Sequence, residues 1–311
     1  MGMWIDTDMG FDDIAAIMVV DAAARSRPEL VIDGVSLVVG NAPLERVTRN
    51  AAGAAQVFGW RFPVHAGRAL PVLGKLETAT AILSDHGMPT SGQRLPDVVV
   101  PAMADAFNAL CRWLEGEGPK RILALGPLTN IAALALARPD LAARITDIVW
   151  MGGAVTVGNH TASAEFNAFA DPEAVAIVLA HAIPFKMVDL DLCRQVLAAP
   201  SDVEPVRMAG GRNAALIADL LDGFIAIATS RGRAAMALYD AVAAVAFIDD
   251  DLVAWRPARI DVELSGTFTR GRTVVETRSG KAEFNAAYAA TIAVDRARSI
   301  ILETLRLEGS R

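Results

Sequence analysis

The stretch that most constrains this chain is its beginning, Met3-Trp4-Ile5-Asp6-Thr7-Asp8-Met9-Gly10-Phe11-Asp12-Asp13, followed by the apolar run Ile14 to Val20. A short apolar segment reads as a strand, a Gly-containing turn follows, and a helix starts with acids in its first turn. Four carboxylates therefore gather at the carboxyl end of a first strand. Like charges this close repel, and in a low-dielectric crevice the repulsion raises their pKa values unless a cation neutralises it. The donors are all hard oxygens with no Cys or His alongside, which points to Ca2+ or Mg2+ rather than zinc. Any single Asp here is adequately explained as an acid in a helix first turn, where the macrodipole favours an anion by ~0.3–1 kcal/mol. Four together behind a strand are better explained as a site. An EF-hand is excluded, because the bidentate Glu at the twelfth loop position is missing and a strand, not a helix, precedes the acids.

The rest of the chain supplies the frame for that turn. Strands are expected at residues 30–39, 62–66, 121–125, 145–151 and 184–192. Between them lie helices at 12–24, 43–58, 102–115, from 126–130 onward, and 171–181. Further helices are expected at 201–208, 213–231 and from 239, then a β-pair at 259–265 and 273–277, a strand at 286–294 and a closing helix at 296–307. This alternation predicts an α/β fold, a mostly parallel Rossmann-like open sheet with helices on both faces and an antiparallel C-terminal extension. In such sheets the ligand crevice lies at the carboxyl ends of the strands, so motifs far apart in sequence converge there. Residues 68–101 read as mostly irregular, a length that in a compact domain usually marks a functional or mobile loop.

With 311 residues, 53% of them apolar and 21% charged, the chain can build a substantial core. No linker divides it, so residues 1–311 read as one domain. The net charge of −7 argues against nucleic acid as a partner. No run of 18 uncharged apolar residues is present and no basic leader precedes the first strand, so the expectation is a protein without membrane association. Cys111 and Cys193 sit in apolar contexts and read as buried free thiols, which suits the reducing cytoplasm.

Two families share parts of the opening motif. Asp6-Thr7-Asp8 alone is similar to the Asp-x-Asp of haloacid-dehalogenase phosphatases, but the continuation Gly10-Phe11-Asp12-Asp13 departs from that pattern. The whole string resembles the DTDPG-x-DD signature of the inosine-uridine nucleoside hydrolase family, with Met9 in place of Pro. Proline rigidifies a turn, so that departure is read as affecting stiffness more than chemistry. Further strings continue the resemblance: Asp85-His86-Gly87, Gly126-Pro127-Leu128-Thr129-Asn130, then Gly152-Gly153, Gly158-Asn159, Glu165-Phe166-Asn167 and Asp171-Pro172-Glu173-Ala174. It runs from Asp6 to about Val275.

The resemblance implies a Ca2+-dependent enzyme that cleaves the N-glycosidic bond of a ribonucleoside to free base and ribose, working as a homodimer or homotetramer. Asp8 would be both ligand and general base, and Asp13, Asp240 and the Leu125 carbonyl would complete the protein ligands. Asp12 would accept from a ribose hydroxyl, Asn159, Glu165 and Asn167 would hold the sugar, Met151 would line the pocket, and His86 would reach in from its Gly-rich loop. Asp6 and Asn41 would restrain the carboxylates and the water. Tyr239 is the informative departure. Several family members carry a histidine just before the final Asp, proposed to protonate the leaving base, while some purine-preferring members carry an aromatic that stacks on it. Tyr, with an ordinary pKa near ~10, is a poor acid at neutral pH and a good stacking surface, which favours purines. Phe224, Arg231 and Arg233 are candidate base contacts. The alternatives are a nucleoside-binding or sensing protein with weak activity, and a Mg2+-dependent phosphatase using Asp6 as nucleophile.

Overall fold

The computed structural model describes residues 1–311. Its first half alternates β1 (Gly2–Thr7), α1 (Phe11–Ser26), β2 (Val31–Leu37), α2 (Leu44–Phe58), β3 (Val64–Ala66), the short α3 (Thr80–Leu83), α4 (Ala106–Glu115), β4 (Lys120–Ala124), α5 (Thr129–Ala137), α6 (Pro139–Ala142) and β5 (Asp147–Met151). The second half adds α7 (Phe166–Ala170), α8 (Pro172–Ala180), β6 (Phe185–Val188), α9 (Leu190–Cys193), β7 (Leu197–Ala198), α10 (Val203–Arg207), α11 (Ala214–Thr229), β8 (Met236–Ala237) and α12 (Tyr239–Ile248). The chain closes with β9 (Val253–Val262), β10 (Thr273–Glu276), β11 (Ala286–Ile292) and α13 (Val294–Gly309).

Nine strands form one sheet in the order β10-β9-β11-β6-β5-β4-β1-β2-β3. From β11 through β3 every neighbouring pair is parallel, and β9 runs antiparallel to both β10 and β11. That is the open parallel sheet with an antiparallel end that the alternation of the sequence predicts. β1 lies in the middle with neighbours on both sides, so Met3 to Thr7 is wholly buried, as a strand covered on both faces must be. Its side chains alternate between two cores. Met3 and Ile5 join the larger one, with α1, α11, α12 and α13, while Trp4 joins the other, with Ile122, Trp150 and the apolar faces of α4, α5 and α8.

Two helices in the larger core matter for the site. In α12 every residue from Asp240 to Phe247 is buried, four of them alanine, and α1 packs against it with Ala15 and Ala16 fully buried. Small side chains let two helix backbones approach closely, and α1 and α12 thereby bring their N-terminal ends to the same region.

Several elements depart from the expected bounds for identifiable reasons. β6 stops at Val188, short of residue 192, because Asp189 Oδ1 accepts the N–H groups of Asp191 (2.7 Å) and Leu192 (3.1 Å) and starts a helix there. α4 begins at Ala106 because Asp105 caps it through the N–H of Asn108 at 2.9 Å. β9 begins at Val253, six residues before the expected start, and carries Pro257. Proline is tolerated where β9 has outrun β10, which pairs only with Arg259 to Val262, so one side of the strand is open at that point. Between residues 67 and 105 the only helix is the four-residue α3, in keeping with an irregular loop.

Candidate active site

The turn after β1 is held by its own side chains. Asp13 Oδ1 accepts from the Thr7 hydroxyl and from the Asp8 N–H (3.2 Å), and its Oδ2 accepts the N–H of Gly10, the residue that caps α1, at 2.8 Å. Asn41, from the loop after β2, donates to Asp8 twice, through its backbone N–H to Oδ2 (2.6 Å) and through Nδ2 to Oδ1 (2.8 Å). Gly40 permits that approach: a Cβ there would lie 2.0 Å from Asp8 Oδ2. Asp6 points away from the cavity, its Oδ1 held by Ser36 and by Asn130 Nδ2 (2.7 Å), while its buried Oδ2 has no partner.

Three carboxylates, those of Asp12, Asp13 and Asp240, offer ligand oxygens within 4.8 Å of one another. Asp12 and Asp13 stand in the first turn of α1 and Asp240 in the first turn of α12. At ~5 Å and an effective dielectric of ~20, each ionised pair repels by roughly 3 kcal/mol. The two helix N-termini return only ~0.3–1 kcal/mol per acid. Repulsion wins, and none of Asp8, Asp12, Asp13 and Asp240 has a basic side chain within ion-pair distance. Burial, joined by neighbouring carboxylates, therefore lifts Asp12 to about 8 and raises Asp8 and Asp240 well above the ordinary carboxylate range. Burial raises Asp13 as well, against the hydrogen bonds that favour its charged form. A hard-oxygen set with uncompensated negative charge fits a divalent cation of the Ca2+ or Mg2+ kind.

These acids open onto a cavity of about 220 Å3 lined by Asp8, Asp12, Asn41, Leu125, Met151, Asn159, Glu165, Asn167, Phe224, Arg231, Arg233, Tyr239 and Asp240. In the same cavity lining, Glu165 caps α7, its carboxylate accepting the N–H groups of Asn167 (2.8 Å), Ala168 (3.0 Å) and Gly153 (2.9 Å). Burial nevertheless lifts it to about 7. Asn159 Oδ1 accepts the Phe166 N–H at 3.0 Å, leaving its amide nitrogen for another acceptor. Asn167 Nδ2 donates to the carbonyls of Leu125 (2.8 Å) and Met151 (3.0 Å). A carbonyl has two lone pairs, so the Leu125 oxygen keeps one for a further partner. Tyr239 follows the small antiparallel pair of β7 and β8, its ring edge-on to Phe224 at 6.4 Å between centroids. Burial pushes its hydroxyl to about 12.

The family model described as inosine-uridine preferring nucleoside hydrolase matches residues 3–299. The chain belongs to the nucleoside hydrolase family. It is 34% identical over 283 residues to the inosine-uridine preferring nucleoside hydrolase of Crithidia fasciculata, covering 90% of this chain and 89% of that one. It is 32% identical over 279 residues to a pyrimidine-specific ribonucleoside hydrolase of Klebsiella pneumoniae, covering 88% of each. Among solved structures, a purine-preferring ribonucleoside hydrolase from Gardnerella vaginalis superposes with a TM-score of 0.88 at 26% identity, covering 100% of this chain and 99% of that one. The protein is thus an N-glycosyl hydrolase acting on ribonucleosides, and metal dependence is general in this family. The phosphatase reading ends here, since Asp6 is bound by Ser36 and Asn130 and does not line the cavity.

Most residues singled out in the nucleoside hydrolase motifs meet in this cavity, with Asp13 directly behind Asp8. The candidate base contacts Phe224, Arg231 and Arg233 meet there as well. His86 is the exception. Its side chain is exposed and lines a different cavity, because Asn50 Nδ2 holds the His86 carbonyl at 2.9 Å and fixes the loop with that residue facing away. Asp8 also departs in detail, since both its oxygens are engaged by Asn41 and it stands outside the tight Asp12, Asp13 and Asp240 group. Sequence reading missed Thr7, Ser36, Asn50 and Asn130 as the donors that hold the turn. It also missed Ala79, Ile82, Leu83 and His160 in the cavity lining. Thr7 and Asn130 lie inside motif strings already recognised, so position in the motif was the available signal for them. His160 directly follows Asn159, and its ring packs 4.5 Å from Phe169 and 5.5 Å from Phe166.

Proposed function

We propose that this chain, folded as one domain over residues 1–311, hydrolyses ribonucleosides in a Ca2+-dependent reaction with a preference for purines. The observation that carries the reading is the single cavity in which uncompensated carboxylates face a wall of sugar-binding type, the polar groups of Asn159, Glu165 and Asn167. Asp8, Asp13, Asp240 and the Leu125 carbonyl would hold the ion. When bound, Ca2+ supplies Lewis acidity that lowers the pKa of water and orients sugar hydroxyls.

The protein's own groups account for the remaining chemistry. Asp8, held by the two donors of Asn41, takes the proton of the attacking water. Asp12 accepts from a ribose hydroxyl, and Asn159, Glu165 and Asn167 fix the sugar so that the anomeric carbon faces the water; misplacement by about 1 Å would cost on the order of 100-fold. Negative charge around the sugar favours the oxocarbenium-like transition state that develops as the base departs. His86 is left out of the substrate set because it faces another cavity.

Purine preference rests on Tyr239, whose ring lines the cavity beside Phe224 and whose hydroxyl, at about 12, is a poor proton donor. The relatives span inosine-uridine preferring, pyrimidine-specific and purine-preferring hydrolases, so the preference for purines rests on Tyr239 and not on kinship. Two unpaired cysteines support a reducing, cytoplasmic setting, and no helix is long and apolar enough to cross a membrane. Assembly into a homodimer or homotetramer is carried by the family resemblance alone. Asp13→Asn tests the core of the reading: calcium content and turnover should fall together. Retention of both would show that the ion is held elsewhere.

A further inference from the structure

A cluster of basic side chains that the hydrolase site does not use lies behind the loop carrying His86. Arg46 and Arg49, one turn apart on the first half of α2, and Arg94 from the long loop line a second cavity of about 100 Å3, together with Asn50, His86 and Asp97. Arg49 pairs with Glu45 at 3.0 Å and with Asp97 at 3.5 Å. Arg46 and Arg94 form no ion pair. Three guanidinium groups against the one carboxylate of Asp97 leave this lining positive on a chain whose net charge is −7. Adding Glu45, which sits one turn before Arg49, still leaves an excess of positive charge. Guanidinium forks match the geometry of phosphoryl oxygens, and their charge is permanent.

We propose that this cavity is a second binding site, for a phosphate dianion, either free or as the terminal group of a phosphorylated sugar or nucleotide. Its size decides the class. At less than half the 220 Å3 of the nucleoside cavity, its roughly 100 Å3 takes a phosphoryl group and not a whole nucleoside. Asn50, a buried residue in the lining of this cavity, ties the site to the catalytic turn: its Nδ2 donates to the His86 carbonyl at 2.9 Å and to the Met9 carbonyl at 3.3 Å. Met9 stands between Asp8 and Gly10. An anion that draws Arg94 and the His86 loop onto α2 therefore acts on the turn that carries the acids, and occupancy of either cavity changes affinity at the other by the same factor. The binding site itself does not depend on the hydrolase reading.

Calorimetric titration of inorganic phosphate and of ribose 5-phosphate, at matched ionic strength, tests the proposal on full-length calcium-loaded protein desalted of excess calcium. Saturable binding is expected, weakened roughly tenfold or more in Arg46→Ala/Arg94→Ala. It should be retained in Arg231→Ala/Arg233→Ala, which removes the basic groups of the nucleoside cavity. The pair Arg46→Lys/Arg94→Lys, which keeps charge and stem packing, guards against a folding defect and should bind with intermediate affinity. Tighter binding of ribose 5-phosphate than of phosphate, with the difference lost in Arg46→Ala/Arg94→Ala, supports a phosphorylated sugar as the ligand, and equal binding supports the free ion. Absence of saturable binding, or wild-type affinity retained in Arg46→Ala/Arg94→Ala, overturns the site. Saturating phosphate should also shift KM for a ribonucleoside in the wild type and not in Arg46→Ala/Arg94→Ala. A KM unchanged by bound phosphate overturns the link through Asn50.

Discussion

Burial lifts the Tyr239 hydroxyl to about 12 while its ring stays on the cavity wall against Phe224, so the ring and the phenol make separable contributions. Tyr239→Phe keeps the aromatic face and Tyr239→Ala deletes it. A stacked base is worth ~1–3 kcal/mol, or roughly 5- to 150-fold in kcat/KM, and only the Ala variant should lose it, with a larger loss for purine than for pyrimidine nucleosides. Equal losses in Phe and Ala would assign catalysis to the hydroxyl. Met9 is a second residue at which chemistry turns on one side chain. Its φ is 55°, in the left-handed region, and its N–H donates to the Thr7 hydroxyl at 3.1 Å. The expectation that Met in place of Pro affects stiffness more than chemistry is therefore too mild for this chain. Proline is locked near −65° and has no N–H. Met9→Pro should lower stability by more than about 1 kcal/mol and weaken calcium binding, because Thr7 also donates to Asp13. An unchanged Tm and calcium affinity would contradict the left-handed turn.

At the scale of elements, the site is the meeting of two helix N-termini, α1 bearing Asp12 and Asp13 and α12 bearing Asp240. Their dipoles favour the acids too weakly to offset burial and mutual repulsion, and burial above all sets the pH dependence of folding without metal. Asp6 is lifted to about 7, Asp12 to about 8 and Glu165 to about 7, against ordinary values of 3.8, 3.8 and 4.5. Between the ordinary and the raised values the folded state holds more protons than the unfolded chain. Stability contributed by these groups is therefore greatest below about pH 4 and falls as pH rises to about 8. Thermal unfolding in chelator should give a lower Tm at pH 8 than at pH 6, and saturating calcium should close that gap. A chelated protein that gains stability from pH 6 to pH 8 would show that the carboxylates are compensated by groups of the chain itself.

For the molecule as a whole, the sequence made the parallel sheet legible because its strands are continuous apolar runs separated by amphipathic or Ala-rich helices. β9 was legible only in its second half, because Arg256 and Pro257 interrupt the apolar pattern of Val253 to Ala258. The helix α9 was hidden for a different reason: Asp189 caps it through its side-chain Oδ1, and the apolar run from Pro184 to Leu192 reads through that cap as one strand. In the site, Asp8, Asp12, Asp240, Asn159, Glu165 and Asn167 were legible as motif members. The orientation of His86 was not, since it depends on Asn50, a residue 36 positions away whose hydrogen bond no local pattern announces. The basic cavity of Arg46, Arg49 and Arg94 was hidden in the same way, because α2 and the long loop bring these residues together only in the fold. As a whole, this assembly should release ribose from ribonucleosides only with a divalent cation bound. Release of reducing sugar from inosine, adenosine, uridine and cytidine, measured with calcium, after chelation and after calcium is restored, tests it most directly. Ribose should appear from all four, faster from the purines, be lost on chelation and return with calcium; sugar release that persists undiminished in the chelated enzyme would rule out a cation-dependent hydrolase.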